Sequence, residues 1–123
     1  MSPNPPRFNR FMLAAAGILG AIGIAAAAAA GHGADAPLLD AAALIALSQA
    51  PAVLALTLFA RHGGLLQAST ALIACGAILF VADLAARHFL GDRLFPMSAP
   101  LGGLAMIAGW LLLVAAAVVG RYP

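Results

Sequence analysis

Residues 11–31 read FMLAAAGILGAIGIAAAAAAG, 21 consecutive positions without an ionisable side chain. An α-helix rises about 1.5 Å per residue, so ~20 apolar residues cover the roughly 30 Å hydrocarbon core of a bilayer. Working outward from this stretch, Ala41–Ala60 is uncharged over 20 positions, bounded by Asp40 and Arg61. Gly63–Ala82 is uncharged over 20 positions and Leu94–Gly120 over 27. Little else remains of the 123 residues. The expected fold is all-α: an integral membrane four-helix bundle with short loops. Residues 1–10, with Pro3, Pro5 and Pro6, form an N-terminal tail, because proline obstructs a regular helix start. Residues 11–120 form a single membrane domain whose helices are expected at about 8–30, 38–60, 65–89 and 98–120, and 121–123 form a C-terminal tail.

Composition supports this class. Charged residues make up 8% of the chain and mean hydropathy is +1.05, whereas soluble domains carry about a quarter charged residues. The net charge of +2 comes from six arginines against four aspartates, with no Lys or Glu. Such a small excess is no footprint for a phosphate backbone, so nucleic acid is not an expected partner. The single Cys75 excludes an intrachain disulfide and reads as a buried small hydrophobe within the third apolar stretch. Arg7 and Arg10 precede the first apolar run as they would in a signal peptide. That run is longer than an h-region of about 7–15 residues, so it reads as a retained membrane helix. Four spans put Arg7, Arg10, Arg61 and Arg121 on one side and Arg87 and Arg93 on the other. The positive-inside rule then places both termini in the cytoplasm of a bacterial-type inner (plasma) membrane.

The few polar residues within the spans carry whatever chemistry there is. Ser48 and Gln49 lie near the middle of the second helix, just before Pro51, which removes the donor to the Leu47 carbonyl and predicts a kink. A satisfied proline kink is the plain reading, and a polar station for a solute is the sharper one. Asp83 lies about 27 Å along the third helix from Leu65, near the outer interface. It stands four residues before Arg87, acid first, which predicts an interfacial ion pair that pins the third loop. Small residues form two stripes: Ala16, Gly20, Gly23 and Ala27 in the first helix, and Gly102, Ala105, Gly109 and Ala116 in the fourth. Such stripes allow helices to approach closely in lipid, so Gly20, Gly23, Gly102 and Gly109 are expected packing residues. Ser98 is the expected N-cap of the fourth helix, and Trp110, near mid-span, a packing residue. Phe89, Leu90, Leu94, Phe95 and Met97 make the third loop apolar enough to lie along the outer interface.

The stretch from Ala82 to Leu112, ADLAARHFLGDRLFPMSAPLGGLAMIAGWLL, resembles the C-terminal half of the domain of unknown function 423 family. That family consists predominantly of small four-helix membrane proteins. The shared pattern falls on Asp83, Leu84, Arg87, Leu94, Phe95, Pro96, Pro100, Gly102, Gly103, Gly109 and Trp110. Gly20-Ala21-x-Gly23 matches its G-A-x-G in the N-terminal half. Gln49 stands where the family usually has a histidine, and Ala82 replaces a glycine. The resemblance implies the architecture and no activity.

Enzymatic chemistry is not expected. The chain has no H-E-x-x-H, phosphate loop or nucleophile elbow. Ser48, Thr57 and Ser69 have no base nearby in sequence and are expected to bond back to their own helices. His32 and His88 are assigned to one side and His62 to the other, so no metal site gathers all three; only His32 with His88 and Asp35 or Asp92 could meet. No cofactor is implied. The expected function is that of an accessory or scaffolding protein acting through helix–helix association. Its partners would be membrane lipid and either further copies or a larger membrane complex. The alternative is a minimal oligomeric transporter or channel using Gln49, Pro51 and Asp83.

Overall fold

The computed structural model describes residues 7–32, 36–59 and 64–120. These form four helices: α1 (Arg7–His32), α2 (Pro37–Phe59), α3 (Leu65–Leu90) and α4 (Ser98–Val119). All four are long and apolar enough to cross a membrane, which makes this a multi-pass membrane protein. No strand occurs among the described residues. Pro37 opens α2 at the first helical position, where a missing N–H costs nothing. The helix then continues through Pro51 without interruption. Gly91 ends α3 and Gly120 ends α4, each left-handed, a conformation glycine adopts without steric cost.

Successive helices run antiparallel. One core cluster joins Leu19 and Ala26 of α1, Ala42 to Ala50 of α2, Ala77, Val81 and Leu84 of α3, and Met106 of α4. A second joins Ala15 and Ala16, Val53 and Leu56, Leu66 to Ala74, and Ala116 at the other end. Residue numbers therefore rise and fall in alternation from one end to the other. The helix α3 is central, with α1, α2 and α4 all against it, whereas the α4 backbone approaches α3 alone. This organisation follows from where the small residues lie.

The α3–α4 seam is backbone on backbone. A Cβ placed on Gly76 would fall 2.6 Å from the Gly102 carbonyl oxygen, and one on Gly102 would fall 2.8 Å from the Gly76 oxygen. One on Gly109 would lie 2.6 Å from Ile73 Cγ1 and 3.0 Å from the Ser69 carbonyl oxygen. Close approach of this kind supplies the dispersion contacts that drive helix association where lipid removes any hydrophobic gain. Gly23 lets α1 approach α2 closely as well, here against side chains: a Cβ there would lie 2.7 Å from Leu47 Cγ and 3.1 Å from Ala46 Cβ. Gly20 does not: the space beside it is open, and Ala27 is exposed. The packing stripe of α1 is Ala15, Ala16, Leu19, Gly23 and Ala26. It is rotated from the expected stripe because the bulky Leu19, wholly buried, takes the central place. Cys75 is exposed, also against expectation, since α3 turns that edge outward.

Candidate functional site

Two polar stations stand out. The first surrounds Asp83, whose side chain has 0% exposure, the only charged residue among the described ones to be fully buried. Its Oδ1 accepts from the Leu94 backbone N–H at 2.9 Å and from the Ser98 hydroxyl at 2.6 Å. Its Oδ2 lies 2.9 Å from Arg87 Nε, with the guanidinium side chain 29% exposed. That close pair is poorly aligned, so neither Oδ2 nor Nε gains a directed hydrogen bond from it. The carboxylate is thus more than the interfacial ion-pair partner expected from its place in the helix. Residues 94 and 98 fold back over it and exclude solvent, and the loop is tied at two points.

Ser98 is consequently not a cap. It is the first residue of α4, and its hydroxyl goes to Asp83 and not to the helix. The capping position is taken by Met97, the only described non-glycine residue with positive φ, at 71°. A left-handed methionine is uncommon and carries backbone strain. Asp83 holds the residue that follows it. Phe89, Leu90, Leu94, Phe95 and Met97 are all exposed around this end, an apolar rim suited to the membrane interface.

The second station bridges α2 and α4. Trp110 Nε1 donates to Gln49 Oε1 at 2.9 Å, Gln49 Nε2 donates to Ser48 Oγ at 3.1 Å, and Ser48 Oγ donates to the Ile45 carbonyl at 3.1 Å. An indole N–H only donates, which sets the orientation of the amide. Trp110 is 40% exposed and Gln49 half-buried. The indole is therefore less a packing group than a strut across a gap between two helices whose backbones never meet. Toward the α2 C-terminus the same gap holds an open apolar cleft of about 90 Å³, lined by Leu56, Phe59, Leu66, Leu113, Ala116 and Ala117.

Thr57 and Thr70 bond back to the carbonyls of Val53 at 2.6 Å and Leu66 at 2.7 Å, in their own helices. Ser69 departs from that pattern and crosses to the Gly109 carbonyl at 2.7 Å. Gly76 and Ser69 thus join Gly102 and Gly109 in one seam. The signal for them was present in the spacing: positions 69, 73 and 76 recur on one face of α3 as 102 and 109 do on α4. His32 and His88 are exposed. Asp35, Arg61, His62, Arg121 and Tyr122 lie outside the described residues. Among the described residues no three metal-ligating side chains gather.

The sequence pattern of the family described as Protein of unknown function (DUF423) matches residues 17–103, well over half of the chain. The chain belongs to that family. The matched span takes in Gly23, Gln49, Gly76, Asp83, Ser98 and Gly102, and so both the Asp83 station and half of the α2–α4 strut. It stops short of Gly109 and Trp110, so the strut joins a residue inside the DUF423 span to one beyond it. No curated protein and no solved structure matches the chain.

Proposed function

We propose that this DUF423 protein acts by helix–helix association, as an accessory or scaffolding component of a membrane complex, with both termini cytoplasmic in a bacterial-type inner membrane. The observation that carries the reading is how the Asp83 carboxylate is used. An ion or proton path needs exchangeable polar groups spaced through the membrane. Here the one fully buried charge among the described residues commits Oδ1 to Leu94 and Ser98 and is ion-paired through Oδ2 with Arg87, with no directed hydrogen bond on that side. The mid-span amide of Gln49 is held by Trp110 and Ser48. What recurs along the helices is small residues at contact faces, which create surfaces and no chemistry.

Two measurements test this. Purified protein in proteoliposomes should take up no protons or monovalent cations beyond empty vesicles, and isolation in a gentle detergent should return the protein with membrane partners or further copies. Flux that disappears in Gln49→Leu or Asp83→Asn would overturn the association reading in favour of transport.

A further inference from the structure

Gln49 is the 13th residue of the 23-residue α2, and Trp110 the 13th of the 22-residue α4. The two helices run in the same direction, so the strut sits at mid-depth, where lipid offers no hydrogen-bond partner. The amide has two N–H donors and two acceptor lone pairs. Trp110 uses one lone pair and Ser48 one N–H, which leaves one donor and one acceptor on a half-buried side chain. Ser48 and Pro51 are exposed on the same edge of α2, and Pro51 leaves the Leu47 carbonyl without its helical donor. Unsatisfied polar groups of this kind are costly in hydrocarbon.

We infer that the α2–α4 face centred on Gln49 is the contact surface for a second copy of this chain, paired about a two-fold axis. The spare donor and spare acceptor of one amide are what a second, two-fold-related amide presents in return. A two-fold contact sets the same patch against itself, so a self-complementary group at its centre is satisfied in both copies at once. An acyl chain could fill the apolar cleft beside it but could not bond the amide. This inference rests on the association reading and names the partner for one face.

The test uses the single tryptophan and engineered cysteines in the full chain. In vesicles of phospholipid with brominated acyl chains, Trp110 emission should be quenched at high lipid dilution. Quenching should fall as protein density rises and a second copy covers the ring. In Gln49→Leu it should stay high at every density. Ile45 and Ala52 flank Gln49 one turn away on either side, both half-buried. In a Cys75→Ala background, Ala52→Cys should oxidise to a disulfide-linked dimer, and Ile24→Cys, on the exposed face of α1, should not. Circular dichroism checks that Gln49→Leu is folded; if it is not, the Ala52→Cys and Ile24→Cys pair with Gln49 intact decides. Quenching independent of density would mean that lipid covers the face and would overturn the inference. So would cross-linking through residue 24 and not 52, which would leave association intact on another face. Dimers that persist in Gln49→Leu would remove the amide from the contact. Solute flux, measured separately, is what would fail the association reading itself.

Discussion

Substituting Gly102 with alanine places a methyl group 2.8 Å from the Gly76 carbonyl oxygen and 2.9 Å from the Phe80 nitrogen, both backbone atoms that cannot swing aside. Ordinary contact begins at 3.4 Å, so α3 and α4 must part by about 0.6 Å at this point. A radial gap of about 0.5–1 Å forfeits roughly a quarter to a half of each dispersion contact. The same movement stretches the 2.7 Å bond from Ser69 to the Gly109 carbonyl. Overpacking of this type costs about 1–3 kcal/mol, against a helix-propensity gain of ~1 kcal/mol for replacing glycine. A net loss of up to about 2 kcal/mol is therefore expected. Gly103→Ala is the internal control, because nothing lies within 4 Å of its added carbon. It keeps the propensity gain without the clash and should be neutral or stabilising by up to ~1 kcal/mol. Titration of both variants from mild detergent into dodecyl sulfate, followed by Trp110 emission, measures the difference. Equal behaviour of the two variants would refute the view that the α3–α4 seam is held by backbone proximity.

Asp83→Ala removes the acceptor for Leu94 and Ser98 and strands Arg87, and should cost about 3–5 kcal/mol in the same titration. Asp83→Asn can keep both acceptor bonds on one oxygen and should cost less, about 1–3 kcal/mol. Hydrogen exchange at the Leu94 amide should rise in the alanine variant before exchange in α1 or α2 changes. Ser69→Ala should lose about 0.6 kcal/mol, the average for a hydrogen bond between membrane helices, and no more than about 1.7 kcal/mol. Reporter fusions after Arg61 and after Pro123 should read cytoplasmic and one after Gly91 periplasmic; the reverse pattern would invert the proposed orientation.

The helices were legible because a bilayer tolerates so few charges that uncharged runs of 20 residues announce themselves. The direction in which each helix turns its faces was harder to see. In α1 the alanine block makes several stripes equivalent by composition, and only the position of Leu19 chooses Gly23 over Gly20. Asp83 and Arg87 were visible as a pair, since their spacing is local. The depth of the carboxylate's burial was not, because its cover arrives from residues 11 and 15 positions later. The Gln49–Trp110 strut joins residues 61 apart, and no periodicity within either helix signals it. Local spacing speaks for single helices, and contacts between them depend on rotations that one chain's pattern leaves open.

The way Asp83 is satisfied bears on how the chain enters the membrane. During synthesis α3 is complete before Leu94 and Ser98 have left the ribosome, so the carboxylate has only Arg87 beside it at that stage. An aspartate so placed resists partition into lipid until its remaining partners emerge. Those partners belong to the connection and to the first turn of α4, which brings with it the glycines that fit against Gly76. The third and fourth helices are therefore coupled in time as well as in space. Entry as one hairpin is the expected consequence, its closing turn bringing the donors that satisfy the carboxylate.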